Sequence, residues 1–326
     1  MQKKIVASIL LLLVFAAVFI FYTSNRPNRQ PSLSSIQCLS AENGVTSFYK
    51  FNPERIFAFG LTYGTHVEET SQNRVSSMPP LFRKEVESLV ITPDFISIPD
   101  RSQLLEMAEK TEPGLAVKIK EECDQVQPLL DYEVELAFVL LEEVNWDDIQ
   151  KGSGMPKVGY FLSNDISSRF IQVLGEGKTN RFDYWTASKS FSKFLPVNNI
   201  VWVPVKQKFN SILCLELSCI VNGEVRQKEK TSNIMYSPGQ MLHFIYKQYP
   251  KNLPGKGDII LTGTPGGVAF QVPAWKKKLA DFINLGRFTK LNLAMKSAGR
   301  DNRFLKKGDT VTFSGGILGS VTIVVK

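Results

Sequence analysis

The segment Asp131-Tyr132-Glu133-Val134-Glu135-Leu136 alternates acidic and non-acidic side chains. Read as a strand, it puts Asp131, Glu133 and Glu135 on one face, because successive strand side chains point to opposite sides. Three carboxylates on one face fit the wet side of an amphipathic strand. They also fit a metal site, and the residues that follow favour that reading. Positions 137–141 are apolar throughout, so the strand continues into a core and the carboxylates stand at its mouth. Clustered carboxylates repel one another and are costly to desolvate without a cation. A hard divalent ion that takes oxygen ligands (magnesium, manganese or calcium) offsets that cost.

The chain has two histidines, His66 and His243, too few for a histidine-rich zinc or non-haem iron site. His243 sits among apolar residues in a helical pattern and reads as a packing residue. His66 lies in Gly64-Thr65-His66-Val67-Glu68-Glu69. Thr65 and Glu68 make a capping-box pair, which gives Glu68 a structural task. Glu69 then falls three residues after His66, on the same side of the first helical turn. A carboxylate beside an imidazole orients it and raises its basicity, which makes a general base. A surface histidine near a surface glutamate is the other reading, and both stay open on this pattern.

The elements that must position these groups are mostly strands. Runs at 56–61, 134–141, 158–162, 200–205, 213–221, 258–261 and 310–325 are rich in β-branched and aromatic residues. Asn222-Gly223 signals a hairpin, and Ser314-Gly315-Gly316 divides the last run. Helical patterns cover 102–122, broken near Pro113-Gly114, and 237–249, with Pro238 in the first turn. Strands outnumber helices without regular alternation, so the expected class is a β-rich α+β fold and not a doubly wound sheet. With 43% hydrophobic residues the chain can build a core without disulfides. Cys38, Cys123, Cys214 and Cys219 match no zinc spacing and read as buried thiols. Cys214 and Cys219 would face opposite sides of one strand.

Residues 5–22 form an almost wholly apolar run. As a helix it spans roughly 27 Å, about the depth of a bilayer core. It is longer than a signal-peptide core and no small-residue cleavage site follows it. The expectation is therefore an uncleaved single-pass anchor over 1–23, in preference to a signal sequence. A polar linker and extension would follow over 24–52, and the soluble domain, 53–326, would lie outside the cytoplasm. The net charge of +8 is concentrated: between 269 and 307 ten basic residues face only Asp281 and Asp301. No nucleic-acid motif accompanies them. Trp275, Leu279, Phe282 and Ile283 add an apolar stripe at helical spacing, so a membrane-surface helix and a solvated insertion are the two readings.

The ordered pieces His66-Val67-Glu68-Glu69, the Glu133/Glu135 segment, Gly159 to Asp165, Lys189-Ser190-Phe191, Val221-Asn222-Gly223-Glu224, Gly257 to Pro265 and Lys307-Gly308-Asp309 together resemble the fumarylacetoacetate hydrolase family. The resemblance implies a rolled mixed β-sheet and a homodimer. It implies Mg²⁺ or Mn²⁺ held by Glu133, Glu135 and Asp165, with His66 and Glu69 on a lid that activates water. Lys189 and Thr264 become substrate contacts, and Arg169 a further one. The implied reaction is metal-dependent hydrolysis of a carbon–carbon bond in an acylpyruvate-like 1,3-dioxo acid. The same site could instead decarboxylate an oxaloacetate-type acid or tautomerise an enol. A non-catalytic, membrane-anchored binding or scaffold protein is the alternative of another class. The chain departs from the family where Phe170 replaces the aspartate that usually follows Arg169. It also carries insertions near 100–130 and 269–305.

Overall fold

The computed structural model describes residues 36–69, 78–271, 283, 285–298 and 302–326. The apolar run at 5–22 lies outside these residues, as do Trp275, Leu279 and Phe282 of the basic stretch. No helix among the described residues is long and apolar enough to cross a membrane.

Most predicted strands form, and they make a mixed sheet. Its main path runs Gly44–Phe48, Ile200–Pro204, Val158–Asn164, Val134–Leu140, Ile259–Leu261, Ile56–Phe59 and Leu81–Lys84. Every neighbouring pair on this path is antiparallel except Ile259–Leu261 with Ile56–Phe59. A second sheet runs Glu224–Lys230, Glu216–Val221, Thr310–Ser314, Ser320–Val325 and Phe95–Ile96. Ser320–Val325 alternates exposed and buried residues, the pattern of a sheet with one wet face. Val134–Leu140 and Val158–Asn164 are buried on both faces, which matches their unbroken apolar runs. On one side of Val134–Leu140, Leu136, Phe138 and Leu140 join the larger core with Leu217, Val311 and Phe313 of the second sheet. On the other, Ala137 and Val139 join a smaller core with Phe161, Val201, Phe82 and Trp185.

The helical pattern at 102–122 appears as Arg101–Thr111 and Leu115–Glu122, separated at Gly114, whose φ of 82° is left-handed. The 237–249 pattern is the helix Pro238–Gln248, closed at its start by a Ser237–Gln240 capping box. A further helix, Arg287–Ala298, lies in the basic stretch. The stretches around 100–130 and 269–305 join each other: the Asn292 side-chain amide donates to the Glu122 carbonyl at 2.8 Å and Arg287 forks onto the Glu112 carboxylate at 2.7 and 2.9 Å.

Three expectations need correction. The run at 213–221 is two strands, Ser211–Leu213 and Glu216–Val221, so Cys214 and Cys219 share no strand. Cys38 and Cys214 are bridged by a disulfide, leaving Cys123 and Cys219 as thiols. The partners are 176 residues apart and meet because Gln37–Leu39 pairs in parallel with Ser211–Leu213. Spacing along the chain carries no trace of that. The stretch read as linker and extension thus supplies two strands, Gln37–Leu39 and Gly44–Phe48.

Candidate metal centre

Strand register assembles the acidic group. Val134 pairs with Asn164 and Glu135 with Ser163, so Glu133 stands opposite Asp165. Asp165 N–H donates to the Glu133 carbonyl at 2.8 Å, and Glu133 N–H donates to Asn164 Oδ1 at 2.8 Å. Residues two apart on one strand share a face. Glu133, Glu135 and Asp165 therefore converge, each buried, with one oxygen apiece within 4.8 Å of the others. Asp131 does not join them, contrary to an unbroken strand over 131–136. It belongs to the short strand Leu130–Asp131, paired with Ser167–Ser168. Its carboxylate accepts from Ala269 N–H at 2.8 Å, Phe270 N–H at 3.0 Å and Arg169 Nε at 2.8 Å.

Three buried cations face these acids, and apolar neighbours seat two of them. Trp185 and Lys189 are one helical turn apart on the helix Arg181–Lys189. Phe82 and Lys84 are two apart on Leu81–Lys84. The Phe82 and Trp185 rings meet edge-on at 5.5 Å in the smaller core, which directs both lysines toward the carboxylates. Lys189 Nζ lies 2.8 Å from Glu133 Oε2 and 2.8 Å from Asp165 Oδ2, and donates to Ser167 Oγ at 2.7 Å. Lys84 Nζ donates to Asp165 Oδ1 at 2.7 Å, to the Phe194 carbonyl at 3.2 Å and to the Lys189 carbonyl. Arg169 Nη2 reaches Glu133 Oε1 at 2.6 Å, and its Nη1 donates to Gln172.

The missing aspartate at 170 therefore does not strand Arg169. Asp131 and Glu133 pair with it, and Phe170 is fully buried in the larger core. Arg169 itself is turned onto the Asp131 and Glu133 carboxylates.

The local fields differ sharply between neighbours. Burial alone would raise the Glu133 carboxyl, but Lys189 and Arg169 outweigh it and hold it down at about 2. Burial and the adjacent Asp165 and Glu133 push Glu135 well above the usual carboxylate range. Glu135 accepts a hydrogen bond from Gly263 N–H at 2.9 Å but forms no ion pair among the described residues. Burial pulls Lys84 down to about 8 against the attraction of Asp165. Counting Asp131, four buried carboxylates meet three buried cations. The acids that converge offer oxygen donors only, from a rigid pair of strands. That donor set fits a hard divalent ion such as Mg²⁺ or Mn²⁺.

His66 is 7% exposed on the helix Gly64–Glu69 and lies within the fields of Glu133, Arg169 and Lys189. Burial, aided by Arg169 and Lys189 and opposed by Glu133, lowers its pKa to about 4. At neutral pH it is a neutral imidazole, able to accept a proton. The helix starts at Gly64, so Thr65, expected as its N-cap, lies within its first turn, and Thr65 Oγ accepts from Gly266 N–H at 3.2 Å. Glu69 places both carboxylate oxygens on Gly267 N–H, at 2.9 and 2.7 Å. The glycine at 267 is required for this docking, and a side chain at 266 would crowd it. A Cβ on Gly266 would lie 3.0 Å from Glu69 Oε1, and Gly267, at φ +99°, would drive one to 2.1 Å from the Arg226 carbonyl.

Thr264 Oγ donates to the Val134 carbonyl at 3.1 Å and accepts from Gln227 Nε2 at 2.8 Å, while Gln227 Oε1 accepts Val134 N–H at 2.9 Å. Val134 is the residue between Glu133 and Glu135, so this pair braces the backbone that carries both acids. Gln227 reaches it because the hairpin register shifts between Cys219 and Ile220, a bulge that re-aims a side chain. His243 stays outside the site, on Pro238–Gln248. Lys84, Asp131's pairing, Ser167, Gln172 and Gln227 escaped the sequence reading. The available signal was a charged or amide side chain at an inward strand position, as at Lys84 two residues after Phe82.

The sequence pattern described as Fumarylacetoacetate (FAA) hydrolase C-terminal matches residues 55–326. The chain is 30% identical over 215 residues to the mitochondrial oxaloacetate decarboxylase of Dictyostelium discoideum, covering 66% of this chain and 82% of that protein. It is 28% identical over 234 residues to the mitochondrial oxaloacetate tautomerase fahd2 of Xenopus laevis, covering 71% of this chain and 61% of that one. A crystal structure of fumarylpyruvate hydrolase from Pseudomonas aeruginosa, in complex with Mn²⁺ and pyruvate, is similar in fold, with a TM-score of 0.53 at 17% identity over 91% of this chain and 99% of that one.

Proposed function

The chain belongs to the fumarylacetoacetate hydrolase family, and from that premise we propose that it is a Mg²⁺- or Mn²⁺-dependent hydrolase of acylpyruvate-like 1,3-dioxo acids. The observation that carries the reading is the charge balance of the buried site. With every group counted as ionised, Asp131, Glu133, Glu135 and Asp165 against Lys84, Arg169 and Lys189 leave one negative charge in excess, and the raised pKa of Glu135 marks where it falls. A divalent ion held by Glu133, Glu135 and Asp165 reverses that sign and suits an anionic oxo-acid.

A bound divalent ion supplies Lewis-acid polarisation of chelated oxygens. The protein's own groups do the rest. Neutral His66 takes a proton from water, which attacks the carbonyl distal to the pyruvyl group. The carbon–carbon bond breaks, its electron pair passes to the pyruvyl part as an enolate, and the proton held by His66 passes to the enolate carbon, which restores the neutral imidazole. The Lys189 ammonium, whose donors rest on Glu133, Asp165 and Ser167, offsets that developing negative charge through its field. A second reading is favoured by the names of two relatives, the Dictyostelium decarboxylase and the Xenopus tautomerase. Here the same groups stabilise an enolate without the water step. Incubating the full-length protein with an acylpyruvate and with oxaloacetate, each with Mg²⁺ or EDTA, separates the readings. EDTA-sensitive cleavage of the acylpyruvate supports hydrolysis; carbon dioxide release or enol–keto exchange of oxaloacetate alone supports the second reading. No turnover of either sinks both and leaves the scaffold alternative.

We extend the proposal to location and assembly. The apolar run at 5–22 anchors the chain, and the Cys38–Cys214 disulfide supports an oxidising, extracytoplasmic side for the enzyme domain. Protease accessibility in sealed vesicles tests the side, and a domain protected outside and digested only after inversion would reverse it. The family resemblance makes a homodimer the expected assembly, which light scattering reads directly.

A further inference from the structure

We infer that Lys84 is a positioning residue, tying the Asp165 carboxylate to the end of the helix that carries Lys189 and so setting the spacing between a metal-holding group and a charge-stabilising one. The inference rests on the metal reading of Glu133, Glu135 and Asp165.

An ammonium has three donors and no acceptor. Those of Lys84 go to Asp165 Oδ1, to the Lys189 carbonyl and to the Phe194 carbonyl, so none is left for a substrate. The side chain is fully buried, and Lys84 approaches from a strand remote in sequence from both groups it joins. Its bond to Asp165 Oδ1, with Lys189 on Oδ2, fixes the plane of that carboxylate. Its bond to the Lys189 carbonyl fixes the last residue of Arg181–Lys189. One ammonium thus sets Asp165 and Lys189 relative to each other.

Packing does not require a charge here. Burying an ammonium is costly, and an apolar side chain of similar volume commonly packs as well or better. What an apolar side chain cannot do is hold three oxygens from three segments at once.

The competing account is that Lys84 only offsets negative charge, and the two differ in sign. If Lys84 is a counter-charge, removing it leaves the site more negative and Mn²⁺ binds more tightly. If it positions Asp165, its loss weakens Mn²⁺ binding by about ten- to a hundredfold, the usual effect of deleting a group that orients a metal ligand.

The test is calorimetric titration of full-length wild type, Lys84→Met and Lys84→Gln with Mn²⁺, alongside Leu242→Ala. Leu242 is a buried residue of Pro238–Gln248, and its truncation serves as a destabilised control with Mn²⁺ affinity unchanged. The expected order of affinity is wild type, then Lys84→Gln, which keeps two donors, then Lys84→Met. Should the methionine variant fail to fold, the glutamine variant alone carries the comparison. Wild-type or tighter binding by the Lys84 variants overturns the positioning role while leaving the metal site standing. A wild type that binds no Mn²⁺ overturns both.

Discussion

Two acidic clusters among the described residues are met by cations, and they do opposite jobs. Glu112, at the end of the helix Arg101–Thr111, takes a fork from Arg287, an ion pair from Lys178 and a hydroxyl from Tyr184. The Arg287 hydrogen bonds, with those of Lys178 and Tyr184, hold it well below the usual carboxylate range. It is partly exposed, and its charge is satisfied by the groups around it. Glu133 is also well paired, but Glu135 beside it is buried and forms no ion pair among the described residues. The first cluster is closed and fastens the stretches around 100–130 and 269–305 to the helix that carries Lys189. The second has one more acid than base. A surplus of buried charge, more than the presence of ion pairs, separates a binding site from a fastener.

The comparison can be broken at its strongest point first. Glu133→Ala should abolish Mn²⁺ binding by calorimetry while circular dichroism keeps the native spectrum. Persisting affinity would move the metal elsewhere. Next in size, His66→Asn should cut turnover by about 10²- to 10⁴-fold, the usual worth of a general base, with Mn²⁺ affinity retained. If affinity falls with turnover, His66 belongs to the metal-holding group and not to proton transfer.

His66 also makes a stability prediction. Its native pKa of about 4 lies below the ordinary 6.5, so the unfolded chain binds a proton that the native state refuses. Stability contributed by the neutral imidazole is complete above pH 6.5 and is lost as pH falls toward 4. By linkage this amounts to at most about 3 kcal/mol. Urea unfolding across that window should show the slope in the wild type and a flatter one in His66→Asn. The smallest effect belongs to the closed cluster. Glu112→Gln should cost about 1–2 kcal/mol, discounted for its partial exposure, and leave Mn²⁺ affinity unchanged. A large loss of affinity there would mean that the fastener reaches the site.

Legibility followed the range of the interactions. The acid alternation at 133–135, the Asn222-Gly223 hairpin, the break near Pro113-Gly114 and the first-turn Pro238 are written in neighbouring residues, and each appears in the structure. Thr65 shows how a local signal can be overruled. The helix starts before it, and its hydroxyl accepts from Gly266 N–H, 201 residues away in sequence. Arg169 is a related case. The family's aspartate would follow it directly, while the structure supplies Asp131 from a separate strand.

By itself the sequence determined that this chain is β-rich, that Glu133 and Glu135 share a face, and that the strand bearing them enters a core. Those follow from side-chain period and hydrophobicity, which act over a few residues. The local alternation offered Asp131 and the family resemblance named Asp165; tertiary structure brings Asp165 in, because cross-strand register sets which residues oppose each other. It alone closed Cys38 onto Cys214, placed Gln227 behind Val134, and brought Lys84 to Asp165. Each of those contacts pairs polar or charged groups, or two thiols, whose partner can come from anywhere in the chain. Only the packed sheets fix which one arrives.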